Sequence, residues 1–431
     1  MTRLAVLSDL HISPPGPLCS FHAGLQLAHL LDRLRPDHDV ATLVLAGDIF
    51  DFLALPTATA VLVPEAVPGF VDGVFARLAA LDWGQAIFAA LGQLARHGTQ
   101  LVVIPGNHDP ELAHPEVADL LRARCGLPAG DRRLTVFLDG PWRTTLGRRE
   151  IIVGHGHRGD PWNDIDPAMV LHHATVNPPQ PLPLPLGSRL VVGAMRAFRE
   201  KYAFVDALKP ETPGVPLLLL YLDLPLALRH LPGVAGLQAA AVVASLQASL
   251  TGAPVLSYDA PGAPIGPVTD LRRLTDALFG GLPADERSDA TIADIESWLL
   301  GYAPPAAGTL ARHGGAGYVL RAALRHLSHD GTAFDRAALS KIDRAIIDEY
   351  LPLGTPRVVI AGHTHAAREH HPDADRTYLN TGTWSELLRW PPLGDDQAAR
   401  EFIDALEAGT VRPEPHLTWA LIDADRATLQ G

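Results

Sequence analysis

Short apolar runs alternate with stretches of helical spacing along the first part of the chain. Leu4 to Leu7 and Thr42 to Ala46 read as buried strands, and between them Leu25, Leu27, Leu30, Leu31 and Leu34 recur at helical spacing. A second helical stretch covers about Phe70 to Arg96, with Gly98 as its stop. Leu101 to Ile104, Leu134 to Leu138 and Ile151 to Val153 supply further strands. Strand and helix in alternation predict an α/β fold.

The pattern changes after His157. Asn177 to Gly187 is dense in proline and reads as a linker or an extended cover strand. From Ser188 to about Tyr350 the patterns are mostly helical, near 189–208, 235–250, 268–279, 289–301, 317–328 and 335–350. Strand signals return at Arg357 to Ala361, Thr377 to Leu379 and Leu417 to Ile422. The expectation is one α/β domain built from 1–157 and 351–431, with 158–350 as a helical insert or cap. Leu231 to Tyr258 carries no Asp, Glu, Lys or Arg. Its interspersed Gln and Ser make a buried or interfacial helix the better reading than a membrane span, which needs about 20 predominantly apolar residues.

Composition narrows the class. Of 431 residues, 47% are hydrophobic and 19% charged, which excludes a disordered chain. The formal net charge of -13 argues against nucleic acid as a partner, because phosphate backbones are held mainly by Lys and Arg. Two cysteines, Cys19 and Cys125, cannot staple a chain this long, so a reducing, cytoplasmic setting is expected. Met1-Thr2-Arg3 runs straight into the first strand without a secretory pattern.

The chemistry lies in five short segments, each following an apolar strand: Asp9-Leu10-His11, Gly47-Asp48-Ile49-Phe50-Asp51, Gly106-Asn107-His108-Asp109, Gly154-His155-Gly156-His157 and Gly362-His363-Thr364-His365. Ligands of open α/β sheets gather beyond the carboxyl ends of strands, so these segments are expected to converge. Each alone is weak, since Asp and Asn suit turns and helix caps. Their joint occurrence is the signal. Carboxylate, imidazole and amide donors without thiolate suit Mn, Fe, Zn, Ni or Co. So many donors exceed what one ion can use, and two ions sharing a carboxylate form a clamp for phosphoryl transfer with a hydroxide as in-line nucleophile.

These segments resemble the signature of the calcineurin-like metallophosphoesterase superfamily over roughly the first 157 residues and the last 80. The resemblance implies a four-layer αββα sandwich of two mixed sheets and an enzyme that hydrolyses phosphoester or pyrophosphate bonds. It further implies two divalent metal ions, manganese first, with Fe, Zn, Ni or Co as alternatives. Asp9, His11 and His365 would hold the first ion and Asp48 would bridge. Asn107, His155 and His363 would complete the second site. His108 would contact substrate and protonate the leaving oxygen, and Asp109 would orient or polarise His108. Asp51 either belongs to the site or caps the following helix. His155 is taken as the ligand of the fourth segment, leaving His157 to the substrate pocket or a solvated loop. Tyr378 to Trp384 resembles the strand and turn that members place beside the site.

Within the superfamily, His155 to Asp160 and the helical insert look most similar to the bacterial branch containing UDP-2,3-diacylglucosamine pyrophosphatase. That implies a phosphorylated small-molecule or lipid-linked substrate, with Val215 to Leu228 and Val234 to Leu250 as a groove, a peripheral membrane contact at the inner face, or simply the core of the insert. Arg158 could meet a substrate phosphate or pair with Asp160, while Asp160, Asp164 and Asp166 form an acidic loop. The alternatives are a cyclic-nucleotide phosphodiesterase, a nuclease, or a non-catalytic scaffold of the same fold.

Overall fold

The structure, a computed structural model, describes residues 3–209, 214–223, 226, 321, 324, 334–351 and 357–431. The helices expected at 235–250, 268–279 and 289–301, most of the one at 317–328, and the apolar stretch Leu231 to Tyr258 lie outside these residues. The chain forms two compact units. The first comprises Met1–Arg196, Thr332–Glu386 and Pro415–Gly431; the second comprises Ala197–Gly331 and Leu387–Glu414. Residues 158–196 and 332–350 thus pack within the first unit.

In chain order the strands are β1 (Arg3–Leu7), β2 (Val40–Ala46), β3 (Val61–Leu62), β4 (Gln100–Ile104), β5 (Leu134–Val136), β6 (Trp142–Leu146), β7 (Arg149–Val153), β8 (Leu182–Pro183) and β9 (Leu208–Lys209). They continue with β10 (Arg357–Ala361), β11 (Ala367–His370), β12 (Arg376–Thr381), β13 (Glu386–Arg389), β14 (Glu414–Pro415), β15 (Trp419–Ile422) and β16 (Ala427–Gln430). The first unit holds a six-stranded sheet, β16-β15-β1-β2-β4-β5, and a five-stranded sheet, β11-β12-β10-β7-β6. β1, β2, β4 and β5 run parallel, with β15 antiparallel to β1. β7, β10 and β12 run parallel, flanked by antiparallel β6 and β11. Both sheets are therefore mixed.

Side-chain alternation along each strand explains the layers. Leu4, Val6, Val44, Ala46, Val102 and Ile104 of the first sheet meet Ile151, Val153, Val358, Ile360 and Leu379 of the second in one buried cluster. The opposite residues of the first sheet, including Ala5, Leu7, Leu43, Leu45, Leu101 and Val103, pack on helices α1 (Gly24–His38), α2 (Val67–Ala79), α3 (Asp82–Arg96) and α4 (Val117–Arg124). Ile152, Val359, Ala361 and Tyr378 on the outer face of the second sheet pack against Ile346 and Leu351 at the helix Lys341–Tyr350. That helix starts at a capping box, in which Ser340 Oγ accepts from Asp343 N and Asp343 accepts from Ser340 N. The result is the expected four-layer αββα sandwich.

The second unit contains a small sheet, β14-β13-β9, the helices Gly214–Leu222 and Asp396–Glu407, and a buried Arg321 whose guanidinium reaches both carboxylate oxygens of Asp396 at 2.6 and 3.2 Å. Among the described residues no single helix is long and apolar enough to cross a membrane. Cys19 and Cys125 are thiols not bridged to each other.

Candidate metal centre

The five segments sit directly beyond the carboxyl ends of β1, β2, β4, β7 and β10. Backbone hydrogen bonds stitch the loops together: Asp9 N donates to Gly47 O (3.0 Å), His11 N to Asp48 O (2.9 Å), and Gly362 N to His155 O (2.8 Å). The fifth loop is held by Asn380, whose amide donates to Gly362 O at 2.7 Å and to Thr364 Oγ1 at 3.0 Å. From the tail, Thr383 Oγ1 and Trp384 N both donate to Asp9 O, so Tyr378 to Trp384 does border the site.

Six non-glycine residues among those described have positive φ, and five of them are Asp9, His11, Asp48, His363 and His365. This left-handed conformation costs energy for residues with a Cβ and clusters at functional sites. Two glycines allow the loops to close on the carboxylates. A Cβ on Gly106 would overlap Asp48 Oδ1, and one on Gly362 would overlap Asp9 Oδ2.

Asp9, His11, Asp48 and His365 each direct one donor atom to a common point, all within 4.8 Å of one another. His11 Nε2 and His365 Nε2 are 3.0 Å apart, and His365 Nε2 is 3.4 Å from Asp9 Oδ1. Burial, then the nearby His108 and His365, lower the His11 pKa to about 3, so this imidazole is a neutral electron-pair donor. Asp9 is oriented by His363 N, which donates to its carboxylate at 3.0 Å, and by Ser8 Oγ.

A second convergence adjoins the first. His155 Nε2 lies 3.2 Å from Asp48 Oδ2 and 3.2 Å from Asn107 Oδ1. The other ring nitrogen, Nδ1, donates to Ala46 O at 3.0 Å, which leaves Nε2 as the donor of an electron pair. Burial lowers the His155 pKa, but the charges of Asp48 and Asp9 outweigh it and raise the imidazole to about 9. The same field that retains a proton there suits a cation. Asp48 Oδ2 is 4.0 Å from His11 Nε2 as well, so one oxygen faces both groups. Burial would raise the Asp48 pKa, but His155, His108 and His11 together hold it well below the usual carboxylate range. The His363 ring is 5.3 Å from that of His155, centroid to centroid. The residues present therefore fit a divalent metal centre: buried oxygen and nitrogen donors, oriented from behind, aimed inward.

His108 lies at the rim of this group, with 18% of its side chain exposed. Its Nδ1 lies 3.0 Å from Asp51 Oδ1, and Asp51 also accepts from Ala54 N at 3.0 Å, so Asp51 both caps the turn and orients His108. Asp109 has a different position from the one expected. Its carboxylate is fully buried and accepts from four backbone amides: Gly106 (2.6 Å), Ile49 (2.7 Å), Phe50 (3.1 Å) and Asp48 (3.2 Å). It braces the second and third loops, and Asp51 holds the His108 ring instead. Burial and the Asp48 charge push Asp109 up to about 7 against the pull of those amides.

His157 is buried, with Nε2 donating to Ile165 O at 2.9 Å, which places it in the wall of the fourth loop. Arg158 pairs with Asp164 (2.9 Å) and Asp166 (3.0 Å) rather than with Asp160. Asp166 also caps helix α5 (Pro167–Thr175) by accepting from Ala168 N. Asp160 turns inward to His363.

The buried Asp/His cluster suits a metal-dependent hydrolase of phosphoesters. Among curated proteins, none matches the chain. Residues 2–200, which supply four of the five motif segments, match the family model of the calcineurin-like phosphoesterases, the superfamily that the motifs resemble.

Proposed function

We propose that the protein hydrolyses a phosphoester or pyrophosphate bond with two divalent metal ions, manganese foremost and Fe, Zn, Ni or Co as alternatives. The observation that carries this reading is the convergence of Asp9, His11, Asp48 and His365 donors within 4.8 Å, with the Asp48–Asn107–His155 group beside it. Ions held there would lower the pKa of water between them and neutralise charge on the transferring phosphoryl group. The chain's own residues supply the rest. Asp48 Oδ1 accepts from His108 N at 2.8 Å and fixes the third loop. His108, partly exposed at the rim and oriented by Asp51, is placed to donate a proton to the leaving oxygen.

The substrate class we propose is a phosphorylated small molecule or lipid-linked diphosphate, of the kind handled by the UDP-2,3-diacylglucosamine pyrophosphatase branch. The net charge of -13 disfavours nucleic acid. A cytoplasmic protein with peripheral membrane contact through the insert would follow. The test is hydrolysis of aryl phosphates, plain nucleotides and UDP-linked lipids with added Mn²⁺, comparing wild type with His108→Ala. Loss of turnover in the variant supports the enzyme; equal, negligible rates in both would leave a scaffold of the same fold.

A further inference from the structure

Two expected ligands of the second ion, Asn107 and His363, come from different sheets, yet a hydrogen-bonded chain joins them from behind. Asn107 Nδ2 donates to Asn163 Oδ1 (3.4 Å), Asn163 Nδ2 donates to Asp160 Oδ2 (2.7 Å), and His363 Nε2 donates to the same Asp160 oxygen (3.0 Å). The loop that carries Asp160 and Asn163 is itself fixed. Trp162 N donates to Asp160 Oδ1 (3.0 Å), Asn163 N donates to Asp160 O (2.9 Å), and Gly187 N donates to Trp162 O (2.7 Å). The contact at Gly187 is so close that a Cβ there would overlap Asn163 Oδ1. The next residue, Ser188, donates its hydroxyl to Asn107 O at 3.3 Å.

The chemistry of each link has one sense. An asparagine amide can present either its oxygen or its nitrogen, and only the oxygen binds a cation. Asn163 accepts from the Asn107 nitrogen and so turns Oδ1 toward His155, 3.2 Å away. An imidazole can carry its proton on either nitrogen. Asp160 accepts a hydrogen bond from Nε2–H of His363, which keeps the proton on Nε2 and leaves Nδ1 as the electron-pair donor.

We propose that Asp160 and Asn163 are positioning residues for the second ion, selecting the amide orientation of Asn107 and the tautomer of His363. This rests on the two-ion reading above. The test is calorimetric titration of the full-length chain with Mn²⁺, free of substrate. Wild type is expected to bind two ions. Asp160→Ala and Asn163→Ala are expected to lose about 10–100-fold in affinity for one ion while the other holds its wild-type value, as outer partners of metal ligands do. Asp160→Asn, which keeps an acceptor for His363, is expected to recover most of that loss. A merely structural role would weaken both ions together, and thermal unfolding of each metal-free variant reports folding separately. Both ions weakened alike, or neither affected, overturns the inference and leaves the two-ion reading standing. A wild type that binds fewer than two ions overturns both.

Discussion

Replacing Asp109 with alanine separates a structural brace from a catalytic partner. The carboxylate has no solvent exposure and accepts from the amides of Asp48, Ile49, Phe50 and Gly106. Alanine strips the acceptor from all four. A buried donor left unpaired costs about 1–3 kcal/mol, so four give roughly 4 kcal/mol even at the low end. Against this, the variant no longer buries a carboxyl whose pKa burial and Asp48 push up to about 7. The net expectation is a loss of about 3–5 kcal/mol, a large part of the ~5–15 kcal/mol that typically holds a native protein. The assay is urea unfolding, read as a lower midpoint at unchanged slope. Asp109→Asn keeps one oxygen for two of the amides and presents donors to the other two, so its loss should be about half as large. If Asp109 instead acted by orienting His108, Asp109→Ala would lose kcat and keep its unfolding midpoint. That outcome would refute the reasoning.

Asp51→Asn is expected to show the reverse. Its Oδ1 can still accept from both Ala54 N and His108 Nδ1, so stability and ring position stay near wild type, while loss of the negative charge beside the imidazole lowers kcat by about 10–100-fold, part of the ~10²–10⁴ that a positioned general acid contributes; unchanged turnover would sink the assignment. Glu111 is buried with no partner for Oε2 among the described residues, and burial, with Asp109 and Asp51 adding to it, raises its pKa from 4.5 to about 8. The folded state holds that proton more tightly than the unfolded state. Its stabilising effect is therefore complete below pH 4.5 and is lost as pH rises through about 8. Glu111→Gln should accordingly gain stability over wild type across that window, measured by melting temperature against pH; parallel curves would contradict it. Chelation with EDTA should abolish turnover and lower the melting temperature, and Mn²⁺ should restore both, each site adding ~2.7 kcal/mol at a free concentration of 100 Kd. A chelator-resistant activity would remove metal from the mechanism.

How much of this was legible in the sequence depended on distance along the chain. The strands and the five segments beyond them follow from local period and turn chemistry, and the structure brings the expected ligand residues of all five into one region. The pairing of Leu4 with Ile422 leaves no local trace, so the division into two sheets came only with the resemblance. Asp51 and Asp109 show why the finer roles were hidden. Both are acids just past a strand, and spacing alone does not tell which one faces the site. One sequence signal did point the right way: Asp109 lies three residues after Gly106, where a turn carboxylate tends to accept from its own loop's amides. The acidic loop after His157 poses the same problem. Asp160, Asp164 and Asp166 are equivalent as letters, but only Asp160 has its side chain largely buried, at 13% exposure against 48% and 40%. What sorts them is the turn at Asn163 and its contact with Gly187, the last residue of a segment that reads only as a proline-rich linker. A binding site's outer partners are set by the packing of loops distant in sequence, whereas its ligands are set by the strands that carry them. The ligands are accordingly the part a sequence can show.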